Sequence, residues 1–288
     1  MTLINLNNLP REEAIKQLAT CNGSTKWQQL LAQALPIESE AALVEKAAEI
    51  WYEQCTEKDW LEAFNHHPKI GDIKSLTEKF ASTQHLAGNE QSGVQTATKN
   101  VLESLAQGNE DYEEKFGFIF IVCATGKTAD EMLRLLQDRI VNTYEEELAI
   151  AMGEQQKISI LRFKKLMTEG NWGSLKASHI TTHVLDTSLG KPGQNITIRL
   201  QKPVDGGWQT ITQGVTNADG RIGDLLASGR FLKSGSYRML FDTASYYVSL
   251  DTKTFYPEVP ITFTVFDNTH YHVPLLINPF GYSTYRGS

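Results

Sequence analysis

Histidine, arginine and carboxylate are the side chains of this chain whose placement could move protons. Near the C-terminal end, His270 and His272 flank Tyr271, so on a strand the two imidazoles share one face. Upstream stand Thr182-His183-Val184-Leu185-Asp186 and Asp219-Gly220-Arg221. An imidazole titrates near neutrality and suits general-base activation of water. A guanidinium stays charged and can bind in a bidentate way. His183 with the histidine pair could also hold zinc, but no acid or thiol at ligand spacing accompanies them. In the first half, His66-His67-Pro68-Lys69-Ile70-Gly71 places a histidine before a proline, which forces His67 out of the α region. A histidine in such a helix-breaking loop is exposed and aimed, as a functional loop residue would be. Gly88-Asn89-Glu90-Gln91 adds an acid in a polar segment. Taken singly, each has an ordinary reading: a packed strand histidine, a turn charge at Arg221, a surface loop at His67, a surface glutamate at Glu90. Arg162 beside Lys164 and Lys165 reads as a solvated helix charge.

Two kinds of sequence position these residues. Residues 1–167 hold 17 Lys/Arg against 25 Asp/Glu, whereas 179–288 hold 9 against 8 and 11 of the 21 glycines. Charge-rich, glycine-poor sequence suits surface helices, and the Gly-rich, β-branched remainder suits strands and turns. Leu43, Ala47, Ile50 and Trp51 recur at helical spacing, as do Met132, Leu135, Leu136, Ile140, Tyr144 and Leu148. Thr128 followed by Glu131 predicts a capping box that starts the second of these helices. Lys157–Leu166 points Ile158, Leu161 and Leu166 toward a core, and Phe116–Ala124 reads equally as buried helix or short strand. In the second part Ile196, Ile198 and Leu200 alternate with polar residues, as do Tyr237, Met239 and Phe241, and Ile261, Phe263 and Val265. Turn chemistry at Asp205-Gly206-Gly207 and Asp219-Gly220 separates such runs, which predicts an antiparallel sandwich. The expected organisation is an all-α domain over 1–167, a linker over 168–178 with a hinge at Glu169–Ser174, and an all-β domain over 179–288.

The chain has 288 residues and a net charge of −7, which argues against a sequence-independent grip on nucleic acid. Its longest strongly apolar run, Phe118–Ala124, is 7 residues, far short of a membrane helix. No basic start followed by an apolar stretch marks a secretory signal. Three widely spaced cysteines, Cys21, Cys55 and Cys123, point to a reducing compartment. Cys123 reads as a packed apolar residue rather than a nucleophile. A soluble, cytoplasmic protein is expected.

Taken together, Thr182-His183-Val184-Leu185-Asp186, Asp219-Gly220-Arg221, His270-Tyr271-His272-Val273-Pro274 and Tyr285-Arg286-Gly287-Ser288 closely resemble the 5-hydroxyisourate hydrolases, the enzymatic relatives of transthyretin. The resemblance covers essentially all of 179–288 and implies a transthyretin-like sandwich that opens the six-membered ring of 5-hydroxyisourate at an acyl carbon. It assigns His183 and His272 as acid/base candidates and Arg221 to the substrate, with Tyr285 and Ser288 completing the pocket. In that family the sites lie in a channel between subunits of a tetramer.

His67-Pro68-Lys69-Ile70-Gly71, Glu90-Gln91, Lys115-Phe116-Gly117-Phe118-Ile119-Phe120 and Lys157-Ile158 with Leu161-Arg162-Phe163 resemble 2-oxo-4-hydroxy-4-carboxy-5-ureidoimidazoline (OHCU) decarboxylase, an all-α family. The resemblance implies loss of CO2 from the hydrolase product and stereospecific protonation to (S)-allantoin. The substrate ring is the electron sink, so no cofactor is implied, and none is signalled by a motif. His67 is then the acid/base, Glu90 its partner or a ureido acceptor, and Arg162 a carboxylate binder. Pro68, Gln91 and the backbone through Phe118, Phe120, Val122 and Ala124 line the pocket. Ala87 stands where the family often carries serine. The implied protein is a bifunctional, cofactor-free enzyme of urate breakdown acting on small molecules, tetrameric through its C-terminal domain with N-terminal domains paired. The rival readings are a transthyretin-like carrier, a hydrolase whose N-terminal half only drives oligomerisation, and a zinc protein.

Overall fold

The computed structural model describes residues 1–67, 93–125 and 127–287. The first part is helical: α1 (Leu3–Asn7), α2 (Arg11–Ala19), α3 (Thr25–Gln33), α4 (Glu40–Glu49) continued by a π turn over Ile50–Gln54, α5 (Glu57–Asn65), α6 (Gly93–Phe116), α7 (Ala129–Ile140) and α8 (Tyr144–Leu166). Hydroxyl and carboxylate caps start several of them. Thr128 accepts from the Glu131 amide at 3.2 Å while Glu131 accepts from the Thr128 amide at 2.7 Å, so the sequence-predicted box starts α7. The apolar run from Met132 to Leu148 is not one helix. Asn142 and Thr143 interrupt it, and Thr143 caps α8 with Glu146 in a second reciprocal box. Gly117, at φ 72°, stops α6, and the segment through Ala124 is irregular, neither helix nor strand.

α8 is the central element. Of residues 147–156 all but the partly buried Ala149 are buried, acids and amides included, so its neighbours rather than one apolar stripe fix it. Ile160 and Phe163 are its core residues toward the C-terminal end, whereas Ile158, Leu161 and Leu166 are only partly buried. Phe163 stacks on Trp27 with centroids 5.8 Å apart.

The second part is a sandwich of two sheets. Its elements are β1 (Ile180–Asp186), β2 (Lys191–Pro192), β3 (Thr197–Val204), β4 (Gly207–Val215), β5 (Arg221–Ile222), β6 (Gly235–Asp242), β7 (Glu258–Val265), β8 (Tyr271–Asn278) and β9 (Gly281–Thr284). One sheet runs β2-β1-β8-β9 with β5 also on β1, and the other runs β4-β3-β6-β7. Ile180, Val184 and Leu275 from the first meet Ile198, Leu200 and Phe241 from the second. Pairing is antiparallel except between β1 and β8, which run parallel. A short helix, α9 (Thr243–Ser249), follows β6, capped by Asp242 and anchored by buried Tyr246 and Tyr247.

The halves are packed together. α8 lies on β4, and Lys157 reaches Asp224 at 3.1 Å while Lys233 reaches Glu53 at 2.8 Å. Gly229, at φ 80°, sits against Val44, whose carbonyl oxygen would lie 2.8 Å from an added Cβ. The expected hinge is a packed connection. Trp172 lies on the helical core and donates to the Met167 carbonyl at 3.0 Å.

Candidate active sites

In the sandwich, pairing on β1 gathers the chemistry. His183 is the antiparallel partner of Arg221 on β5, and Thr181 is the parallel partner of His272 on β8. The turn that delivers Arg221 needs glycine. Gly220 has φ 71°, and an added Cβ would lie 2.3 Å from the Val184 carbonyl. Asn217 shapes the same turn by accepting from the amides of Asp219 at 3.0 Å and Arg221 at 2.9 Å. The Thr181 hydroxyl lies 2.9 Å from His272 Nδ1 and 2.8 Å from His270 Nε2. With one proton, it donates to one ring and accepts from the other, which couples the two tautomers.

Both His183 and His272 are pushed below the ordinary histidine range, by burial first and then by the Arg221 charge. At neutral pH each imidazole is therefore uncharged and keeps a lone pair. The chain end returns to this site. The Gly287 amide donates to the His272 carbonyl at 3.0 Å, and Arg286 lies over the Tyr271 ring at 5.3 Å. Tyr285 turns an exposed ring to solvent, and Ser288 lies outside the described residues. Asp186 of the Thr-His-Val-Leu-Asp motif is structural: fully buried, it accepts from the Ser188 and Leu189 amides and from the Tyr246 hydroxyl at 3.2 Å.

In the helical half, His67 follows the end of α5, where His66 closes the helix. Its Nε2 lies 2.7 Å from Gln155 Oε1, and its Nδ1 lies 3.5 Å from Arg162 Nη2. Gln155 and Arg162 project from one face of α8, two turns apart. The Gln155 amide nitrogen donates to Ser159 Oγ at 3.3 Å, and Asn22 Nδ2 donates to that same oxygen at 3.3 Å. The Gln155 oxygen therefore faces His67 and can only accept, so Nε2 carries the imidazole proton and Nδ1 presents its lone pair toward Arg162. Arg162 also donates to the Cys21 carbonyl at 3.4 Å.

Phe118 and Phe120 are core residues around Tyr112, with ring centroids 5.9 and 5.2 Å away, so this segment offers a site its backbone and not its rings. The Cys123 amide is already given to Glu154 at 2.7 Å, and the Ile121 carbonyl accepts from Arg139 at 2.9 Å. Val122 is buried and Ala124 partly so. Pro68, Ala87, Glu90 and Gln91 lie outside the described residues. Burial pushes the Cys123 thiol up, and the Glu154 charge adds to it, so no thiolate forms there. No group of three or more His, Cys, Asp or Glu that could hold a metal ion occurs among the described residues.

The OHCU decarboxylase family matches residues 7–164, and the HIUase/Transthyretin family matches residues 180–287. A uric acid degradation bifunctional protein TTL from Arabidopsis thaliana is 34% identical over 317 residues, covering 93% of this chain and 96% of that protein. The chain belongs to this two-domain family, an OHCU decarboxylase joined to an HIUase/transthyretin domain. A 5-hydroxyisourate hydrolase from Salmonella dublin is 42% identical over 110 residues, covering 38% of this chain and 80% of its own. One from Mesorhizobium japonicum is 46% identical over 114 residues, covering 38% and 91%.

Within the decarboxylase domain, the residues that sequence reasoning passed over are Gln155, Ser159 and Asn22, which fix His67. Gln155 could have been found from its spacing to Arg162 along α8; Asn22 is remote in sequence and gave no signal. Within the transthyretin-like domain the omissions are Thr181 and Asn217, ordinary hydroxyl and amide residues whose roles depend on pairing across strands.

Proposed function

We propose that the chain catalyses two consecutive steps of urate degradation: hydrolysis of 5-hydroxyisourate to OHCU in the sandwich domain, and decarboxylation of OHCU to (S)-allantoin in the helical domain. The observation that carries the reading is the tautomer pattern of the histidines. His183 and His272 sit neutral beside a fixed guanidinium, and His67 is locked with its proton on Nε2 and its lone pair on Nδ1.

For hydrolysis, a neutral imidazole of the His183/His272 pair takes a proton from water as it attacks the acyl carbon. Arg221 holds the substrate oxygens and stabilises the oxyanion. Thr181 orients His272 through Nδ1, which leaves Nε2 as the nitrogen addressed to substrate. Tyr285 and Ser288 complete the pocket in an assembled oligomer. For decarboxylation, Arg162 binds the carboxylate and the C–C bond breaks as its electron pair enters the imidazoline ring. His67, with Glu90, governs the proton delivered to one face of the resulting carbanion. The ring accepts the electron pair, so the step runs without a cofactor. Pro68, Ala87, Gln91 and the backbone through Phe118, Phe120, Val122 and Ala124 enclose this substrate.

The same reading divides the chain at 1–167, 168–178 and 179–288, makes it a cytoplasmic homotetramer through the sandwich domains, and pairs the helical domains. Exposed Phe255, Phe266 and Phe280 on the sandwich supply apolar surface for that assembly.

A coupled time course tests it. Urate is oxidised by a urate oxidase in the presence of the protein while absorbance and circular dichroism are followed together. Rapid loss of hydroxyisourate and prompt dextrorotatory allantoin support both steps. OHCU that lingers and decays to racemate removes the decarboxylase assignment, and unaccelerated decay of both intermediates favours a carrier.

A further inference from the structure

The Thr181 hydroxyl joins two imidazoles in different surroundings. It lies 2.9 Å from Nδ1 of the half-buried His272 and 2.8 Å from Nε2 of the exposed His270. The two rings are 22° from parallel with centroids 6.4 Å apart, so the hydroxyl is what bridges them. His270 Nδ1 has no hydrogen-bond partner among the described residues, which leaves the outer end of this chain to water.

With both rings neutral, the chain has two arrangements. In one, His272 Nδ1–H donates to Thr181, whose hydroxyl donates to His270 Nε2. His272 Nε2 then holds a lone pair and is a base. In the other, His270 Nε2–H donates to Thr181, whose hydroxyl donates to His272 Nδ1. His272 Nε2 then carries the proton and is an acid. Hydrolysis of an acyl–nitrogen bond needs these forms in turn, a base while water attacks and an acid while the nitrogen leaves.

The surroundings of His272 oppose linking the two forms through imidazolium. Burial disfavours that cation first, and Arg221, His270 and His183 add to it. We propose that Thr181 and His270 form a proton relay that switches His272 between base and acid while its ring stays neutral. The proposal deepens the hydrolase reading above and rests on it. As water attacks, its proton moves to His272 Nε2 and the Nδ1 proton moves to Thr181 Oγ1. The hydroxyl proton moves to His270 Nε2, and the Nδ1 proton of His270 passes to solvent. As the tetrahedral intermediate collapses, His272 Nε2–H protonates the departing ureido nitrogen and every shift reverses. His270 Nδ1 takes a proton back from solvent, so the chain returns to its starting arrangement. The new carboxylic acid then ionises, and each turnover releases one proton. Thr181 and His270 touch no reacting atom; they are positioning residues that act through His272.

The test uses the full-length chain and hydroxyisourate made by a urate oxidase. Thr181→Val removes the hydroxyl at nearly constant shape, and Thr181→Ser restores it. The expected result is a kcat about 10–100-fold lower in Thr181→Val, part of the roughly 10²–10⁴-fold that a positioned acid/base supplies. KM changes little, and Thr181→Ser recovers most of the rate. In mixtures of H2O and D2O the wild type gives a curved proton inventory, because several protons move together, and Thr181→Val a linear one. His270→Ala loses rate likewise and is restored by imidazole in the buffer, which takes the vacated end of the chain. Decarboxylation of OHCU added separately stays at the wild-type level in each variant and reports an intact fold. An unchanged kcat in Thr181→Val, a linear wild-type inventory, or a His270→Ala defect that imidazole leaves in place overturns the relay. Should Thr181→Val not fold, the wild-type inventory and His270→Ala decide it. A wild type that hydrolyses no hydroxyisourate defeats the functional reading instead, and the 15N shifts of His272, which need no turnover, then decide the bridge. His270→Ala alters the His272 tautomer populations when Thr181 is present and leaves them unchanged in Thr181→Val; no alteration in either background overturns the coupling.

Discussion

His183 and Arg221 are paired Cα to Cα across β1 and β5, which fixes a permanent positive charge one strand away from an imidazole. Burial and this charge both disfavour the imidazolium, at His183 and at His272 alike. With either histidine as the proposed base, the hydrolase step stays competent below the ordinary histidine range and loses rate only as pH falls through the lowered values. Removing the charge with Arg221→Gln makes imidazolium easier to form, so the acid limb of kcat/KM moves to higher pH while KM rises. Burial keeps part of the depression in place, so the limb shifts without disappearing. A pH–rate profile whose acid limb stays where it was would contradict the coupling.

Gly287 is pressed against His272. A Cβ at Gly287 would stand 2.4 Å from His272 Cδ2 and 3.1 Å from its Cβ. Gly287→Ala must move the imidazole, and misplacement by about 1 Å costs on the order of 100-fold in rate. The expected outcome is loss of hydroxyisourate hydrolysis with OHCU decarboxylation intact, read by adding each substrate separately. Equal loss of both activities would instead indicate a folding defect.

How much of this was legible beforehand differs between the domains. Local signals carried far: the Thr128/Glu131 box and the alternation through Ile196, Ile198 and Leu200 each correspond to an observed element. Patterns failed where a long-range partner decides. Met132 to Leu148 keeps helical spacing across a break, because apolar periodicity is blind to the cap at Thr143. Phe116 ends α6, and Phe118–Ala124 is irregular, with the Cys123 amide and the Ile121 carbonyl satisfied by Glu154 and Arg139 rather than by a helix or a ladder. The parallel β1–β8 pairing, which sets Thr181 against His272, joins strands 91 residues apart and has no local signature.

His67 depends on Gln155 for its tautomer, and this can be tested without removing the imidazole. Gln155→Glu puts a carboxylate on Nε2–H and stabilises imidazolium, so His67 stays protonated to higher pH. Any limb of the decarboxylation profile that reports a neutral His67 moves to higher pH. Gln155→Leu abolishes the acceptor, and a loss of roughly 10–100-fold in decarboxylation is expected, scaled to the effect of removing an orienting partner. Hydroxyisourate hydrolysis is the internal control and stays unchanged in both. Parallel profiles for Gln155→Glu and the wild type would remove Gln155 from the mechanism.

Stability of the helical domain rests on a buried ionic cluster. Glu147, fully buried on α8, accepts from Arg139 Nε at 2.8 Å, from the Arg139 terminal nitrogen, from the Tyr112 hydroxyl, and from Asn142 Nδ2 at 2.9 Å. Arg139 in turn lies over Phe120 at 4.6 Å and donates to the Ile121 carbonyl, so the cluster also holds the irregular segment proposed to line the decarboxylase site. Glu147→Gln keeps the shape and removes the charge, leaving a buried guanidinium without its paired carboxylate. Breaking a buried pair from one side costs about 3–5 kcal/mol. Urea denaturation should show that loss in the transition reporting on the helices. Decarboxylation should fall with it, since the Arg139 that holds the Ile121 carbonyl loses its carboxylate partner, while hydrolysis of hydroxyisourate persists below the new transition. Replacing both partners, Arg139→Met with Glu147→Leu, should recover much of the stability, because two apolar groups of similar volume need no counter-charge. Such recovery without return of decarboxylation would separate the cluster's part in folding from its part in holding the segment at 121–123.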